Sequence, residues 1–149
     1  FPNKVDALIM LNSGIWHGHW NEIYEEKKKE LGITGEDHLS IYAQGSDQNI
    51  AKNFLEKAFA GFNETSFLSL DETYIKNYDH REFLGKLDIP VINIYGDLDV
   101  RFPIEESRRI KNYSEKLLDY ELKRAGHFTF LNNQNLEDIF YIIEKDLKL

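Results

Sequence analysis

The sequence predicts an α/β chain in which about three short strands form a parallel sheet with helices on its faces, and a helical insertion separates the first strand from the others. Three observations carry that expectation. Two brief apolar runs, over 5–11 and 91–95, have strand character; an amphipathic stretch opened by Pro103 separates the second run from a weaker one at 120–123; and residues 16–88 show helical spacing with no convincing strand.

In the first run, Val5, Ala7, Leu8, Ile9, Met10 and Leu11 are nearly continuous and stop at Asn12, Ser13 and Gly14, which suits a strand buried on both faces. The second run, Val91, Ile92, Asn93, Ile94 and Tyr95, is introduced by Pro90, ended by Gly96, β-branched, and too short for a typical helix. Tyr120, Glu121, Leu122 and Lys123 alternate apolar with polar and lead to Gly126, as an edge or near-edge strand does. Between them a helix is expected from Pro103, with Ile104, Ile110, Tyr113, Leu117 and Leu118 on one face. Strand, helix, strand is the unit of a parallel sheet. A closing helix follows, capped by Asn135, with Glu137 and Asp138 in its first turn and Leu136, Ile139, Phe140, Ile143 and Leu147 at helical spacing.

Within 16–88, Trp20, Ile23, Tyr24, Lys27 and Leu31 lead to Gly32, and Ile50, Phe54, Leu55, Ala58 and Phe59 lead to Gly61. Ser69 and Glu72 have capping-box spacing ahead of Tyr74, Ile75 and Tyr78, and Phe83, Leu84 and Leu87 close the region. The charged run Glu25 to Glu30 is expected on a solvated helix face. The expected organisation is a first core strand over 1–15, a helical cap over 16–88, and the rest of the core over 89–149.

Composition narrows the function classes. Of 149 residues 42% are hydrophobic and 30% charged, a globular balance. The formal net charge of −8 gives no general basis for phosphate neutralisation, so nucleic acid is not an expected partner. Cysteine is absent, which removes thiolate nucleophiles and Cys-ligated metal sites. No apolar run approaches the length of a membrane span, no leader is visible, and a cytoplasmic location is expected. The chain starts at Phe1 and its one methionine is Met10, so a processed or truncated product is expected.

The residues that can carry chemistry follow the second and third strands: Gly96-Asp97-Leu98-Asp99-Val100-Arg101-Phe102-Pro103, and Ala125-Gly126-His127-Phe128. Loops at the carboxyl ends of parallel strands form the binding crevice of an open sheet, so Asp99 and His127 can meet there. A buried carboxylate accepting from imidazole Nδ1 fixes the tautomer and leaves Nε2 to take a proton, a base with its orienter. Singly, an Asp after a glycine is as well read as a turn former, and a loop His as a surface residue.

Ile89-Pro90-Val91-Ile92-Asn93-Ile94-Tyr95-Gly96-Asp97-Leu98-Asp99, then Pro103, then Gly126-His127 and a last amphipathic helix, resembles the C-terminal part of an α/β-hydrolase. Residues 5–14 resemble that family's strand after the nucleophile helix, and 16–88 its helical cap. The resemblance implies a partial α/β-hydrolase fold, with Asp99 as triad acid, His127 as triad base and Asp97 as the rival carboxylate. It implies no cofactor and no metal. The family's G-x-S-x-G elbow does not occur in these 149 residues; Ser13 and Ser46 lack its paired glycines.

The expected reaction is acyl transfer to water by a serine-type hydrolase, a peptidase or esterase, whose nucleophile comes from outside this chain. Asp99-Val100-Arg101-Phe102-Pro103 most resembles the proline iminopeptidase type. A small-molecule or short-peptide substrate is expected, together with the N-terminal half of the core or an oligomeric partner. Alternatives are a non-catalytic remnant that persists as a structural partner, and a metal-dependent hydrolase using His17 and His19 with Glu22. His17-Gly18 also mimics the family's oxyanion His-Gly, with no elbow after it. The cap aromatics Trp16, Trp20, Tyr42, Phe54, Phe59, Phe62 and Phe67 are expected mostly in the core, one or two of them lining an apolar pocket.

Overall fold

The computed structural model describes residues 5–16, 20–35, 38–61, 63, 65 and 77–148, apart from the side chains of 20–22 and 38. In chain order the elements used below are β1 (Leu8–Leu11), α1 (Trp20–Glu30), α2 (His38–Tyr42), α3 (Gln48–Phe59), α4 (Arg81–Gly85), β2 (Val91–Gly96), α5 (Ile104–Arg109), β3 (Leu117–Leu122) and α6 (Asn133–Leu147). The His17 and His19 pair, Gly18, the Ser69/Glu72 capping box, Phe62, Phe67, Tyr74 and Ile75 lie outside the described residues.

The strands form one parallel sheet in the order β1-β2-β3. Leu8 to Leu11 pair with Val91 to Ile94, and Val91 to Gly96 pair with Leu117 to Leu122. Every residue of the central strand is buried, as its β-branched run implies. On one face Met10 and Val91 pack with Ile15, Leu84 of α4 and Ile110. On the other, Ile92, Ile94 and Leu122 pack with Ala125 and with Ile139 and Ile142 of α6. Asn93 is the polar exception inside β2, and its amide donates to Asp119 Oδ1 at 2.8 Å. The Tyr95 hydroxyl donates to the other Asp119 oxygen at 2.9 Å, and burial together with that carboxylate pushes the phenol up to about 12.

Several expectations are corrected by the fold. Leu117 and Leu118 belong to β3 rather than to the helix after Pro103, which ends at Arg109 and tightens into a 3₁₀ turn over Ile110–Tyr113. Extended backbone at Ser114 stops it (φ −147°, ψ 123°), and pairing along the full length of β2 overrides the helical spacing of the leucines. The closing helix starts earlier than expected, capped by Asn132, whose side chain accepts from Gln134 and Asn135 N–H, while Asn135 itself is buried; its first turn carries no acidic residue. The first strand is not buried on both faces, because Ile9 is 41% exposed on a strand paired with one neighbour among the described residues.

The charged run of α1 is not wholly solvated either: Lys27 and Lys28 are 7% and 6% exposed. The Lys27 ammonium reaches Glu30 at 3.1 Å, and that of Lys28 lies 5.1 Å from the centre of the Tyr24 ring.

The helical insertion leaves and rejoins the sheet at one place. Trp16 and Asp79 form an isolated antiparallel bridge, His80 N–H donates to Ile15 at 2.7 Å, and the Arg81 guanidinium lies 4.1 Å from the centre of the Trp16 ring. Hydrogen bonds from Arg81 hold the Asp79 carboxyl down at about 2. Among the described residues no helix is long and apolar enough to cross a membrane.

Candidate active site

The site forms where β1, β2 and β3 end side by side. Two close backbone approaches bring the following loops together. A Cβ at Gly96 would stand 2.0 Å from the Ala125 carbonyl oxygen, so the chain before His127 passes directly against the end of β2. Leu98 N–H donates to that carbonyl at 2.9 Å. Gly96→Ala is therefore expected to destabilise by about 1–3 kcal/mol, the usual cost of overpacking, read as a lower urea midpoint in the full-length protein.

The Asp99 side chain is fully buried. Its Oδ1 accepts from the N–H groups of Arg101 and Phe102 at 2.7 and 2.9 Å, a tight loop that fixes the carboxylate from its own backbone. Its Oδ2 faces His127 Nδ1 at 3.0 Å and also accepts from the Asn12 amide at 2.7 Å. A carboxylate accepts and cannot donate, so in the Nδ1–H tautomer the imidazole donates to Asp99 and Nε2 keeps its lone pair. The His127 side chain is 17% exposed, open enough to meet a substrate.

Asp97 is placed differently. Its Oδ1 accepts from Ala125 N–H at 3.3 Å, which ties the two loops together without touching His127. Among the described residues no hydrogen bond joins Ser13 or Ser46 to His127, and none of the described His, Asp and Glu residues form a group of three that could hold a metal. His80 sits at the neck of the insertion, at the N-cap of α4, where its side chain makes no capping hydrogen bond.

Rings surround His127. The His127 imidazole has Tyr42 at 5.6 Å, Phe102 at 5.7 Å and Phe128 at 5.1 Å between ring centres. Behind them Phe54, Phe59 and Phe130 complete an apolar cluster with Ala43, Ala51, Leu55 and Leu131. Of the cap aromatics named from sequence, Tyr42 reaches the site, and Phe54 and Phe59 support it. The helical insertion also holds the His127 loop by its backbone, since Gly126 N–H donates to the Gln44 carbonyl at 2.8 Å and Phe128 N–H to the Tyr42 carbonyl at 2.9 Å. Gly45 makes that approach possible: its φ is +75°, and a Cβ there would lie 1.8 Å from the Arg124 carbonyl. Arg101 lies over both Tyr24 and Tyr42, at 5.5 and 5.6 Å, joining the acid loop to α1 and α2.

Asn12, Tyr42 and Phe102 are site residues that sequence reasoning did not single out for a role. Asn12 carried one usable signal, an Asn at a strand end, one of the non-glycine residues that most readily accept a left-handed backbone. Nothing in the spacing of Tyr42 distinguishes it from the core aromatics around it.

No family model matches the chain. Among solved structures, an esterase (EaEST) from Exiguobacterium antarcticum superposes with a TM-score of 0.68 at 13% identity, covering 97% of this chain and 58% of that one. A thermophilic esterase gives 0.66 at 19% identity, covering 98% and 58%, and an alpha/beta fold family hydrolase from Bacillus anthracis str. Sterne gives 0.63 at 15%, covering 95% and 58%. The chain carries part of an α/β-hydrolase fold. Two curated proteins are similar in sequence, both pimeloyl-[acyl-carrier protein] methyl ester esterases. The one from Wigglesworthia glossinidia brevipalpis is 26% identical over 174 aligned positions, covering 97% of this chain and 63% of the relative. The one from Aliivibrio salmonicida (strain LFI1238) is 24% identical, covering 90% and 57%. The chain thus spans about three-fifths of the relatives it matches, and the three parallel strands with flanking helices are a corresponding part of the α/β-hydrolase fold.

Proposed function

We propose that this chain supplies the acid and the base of a serine-type α/β-hydrolase that cleaves carboxylic esters. The observation that carries the reading is the contact of buried Asp99 with His127 Nδ1 at the ends of adjacent parallel strands. In the proposed reaction a serine hydroxyl from beyond this chain attacks the ester carbonyl and passes its proton to His127 Nε2. The leaving alkoxide takes that proton as the C–O bond breaks and the acyl-enzyme forms. Water then attacks the acyl carbonyl, again giving its proton to Nε2, and the serine recovers a proton as the acid leaves. Asp99 keeps Nδ1 protonated and stabilises the imidazolium in each half, with no cofactor.

Ester hydrolysis is favoured over the proline iminopeptidase-type reading because both curated relatives are named for an ester substrate. The apolar rings around His127 suit an alkyl or acyl group. We further propose that the remainder of the hydrolase core docks along β1. Its second edge is unpaired among the described residues, and Ile9 and Val5 are 41% and 49% exposed.

The test is hydrolysis of short-chain p-nitrophenyl and methyl esters, with aminoacyl anilides alongside, by the full-length protein carrying this segment. Ester turnover lost in His127→Ala, with fluorophosphonate labelling of a serine outside these 149 residues, is the expected result. Preferred cleavage of the anilides would return the peptidase reading, and turnover indifferent to His127 would remove the triad.

A further inference from the structure

We infer that Asn12 is the positioning residue that locks the acid to the base, through an amide bridging the Asp99 carboxylate and the backbone next to His127. The residue stands immediately after β1 and is 3% exposed. Its own N–H still donates to Ile94 at 2.9 Å, so the sheet pins its backbone, and a left-handed φ of +46° then turns its side chain toward the loop ends. The amide nitrogen carries two protons. One goes to Asp99 Oδ2 at 2.7 Å and the other to the Gly126 carbonyl at 3.1 Å. Both partners are acceptors, so the nitrogen and not the oxygen must face them. The amide oxygen is buried and makes no hydrogen bond, so these two bonds define the orientation of the group.

The consequence lies in what each Asp99 oxygen is left free to do. A carboxylate offers about four acceptor positions. Two are taken at Oδ1 by Arg101 and Phe102, and at Oδ2 Asn12 takes one beside His127. Asn12 therefore sets the direction from which His127 Nδ1 can approach, and its second bond holds the peptide leading into His127 at a fixed distance from the acid. Water has no access to replace either bond at a fully buried carboxylate. Three strand ends contribute to the arrangement, and the first of them reaches Asp99 through Asn12.

The left-handed turn by itself would be served equally by glycine, which separates a backbone role from the positioning role. Asn12→Gly in the full-length protein keeps the turn and removes the amide. It is expected to lower kcat about 10–100-fold, the range found for residues that orient a reacting group through a hydrogen bond, with KM changed less than about twofold. In an Asp99→Asn background the same substitution is expected to cost less than about twofold, because the acid through which it acts is already gone. Nitrogen-15 NMR of His127 is expected to pass from a single Nδ1–H tautomer to a mixture in Asn12→Gly. The kinetic arm rests on the hydrolase reading; the tautomer does not, so a protein without esterase activity still reports on Asn12. If Asn12→Gly does not fold, Asn12→Asp keeps the shape, replaces the donor by an acceptor, and is read by the same measurements. An unchanged tautomer with kcat within twofold, or an equal loss in the Asp99→Asn background, would overturn the assignment.

Discussion

Under the proposed reaction, His127→Ala in a full-length protein carrying this segment is expected to lower kcat by about 10,000-fold or more, and Asp99→Asn by about 1,000–10,000-fold, with little change in KM. Without the imidazole no group accepts the nucleophile's proton. With asparagine at 99 the side chain can present an N–H where the carboxylate presented a lone pair, and the Nδ1–H tautomer loses its partner at 3.0 Å. Asp97→Asn is the internal control. The Asp97 bond to Ala125 N–H needs only an acceptor oxygen, which an amide still provides, so the loss is expected to stay within about threefold. Steady-state kinetics on a p-nitrophenyl ester reads all three, and equal losses at Asp97 and Asp99 would leave the acid unassigned.

Residues 1–149 expressed alone are expected to give no ester turnover above a His127→Ala control and no fluorophosphonate label. The proposed reaction also needs a serine in reach of His127 and donors aimed at the developing oxyanion, and among the described residues neither Ser13 nor Ser46 is hydrogen-bonded to His127; one oxyanion donor is worth about 100–1,000-fold in kcat. The same preparation is expected to bind an apolar dye and to unfold over a broad range of urea. Among the described residues the second edge of β1 has no partner, and Phe140 and Tyr141 are 56% and 66% exposed, so apolar surface and strand hydrogen-bonding groups are left uncovered. Stoichiometric label at Ser13 or Ser46, or a sharp monomeric transition without dye binding, would show that the chain carries its own nucleophile or closes its own core.

The parts of the site legible in sequence are those set by local chemistry. Gly96 after a β-branched run, an Asp three residues on, and Gly126-His127 after a weaker run mark two loop ends of a parallel sheet, and the sheet brings Asp99 to His127 across 28 positions. Asn12 and Tyr42 were not legible because their roles depend on partners far along the chain. Asn12 meets Asp99 at a separation of 87 residues and Gly126 at 114. Tyr42 meets His127 only because its helix is bonded to the base loop backbone.

The same division runs through the fold. Apolar runs, glycine stops and helical spacing by themselves determined the order of strand, insertion, strand, helix, strand and helix, since each is a property of a few neighbouring residues. Only the tertiary structure decided that Leu117 and Leu118 are strand, that Asn132 caps the closing helix, and that Lys27 and Lys28 are buried. The first two outcomes are the smaller free energy of two locally acceptable conformations, chosen by pairing with β2 and by the bond from the Asn132 amide to Gly45, and the two lysines meet Glu30 and the Tyr24 ring. The roles of Asn12 and Tyr42 belong to that second class, because a hydrogen bond or ring contact across the sheet has no counterpart in the local pattern of the chain.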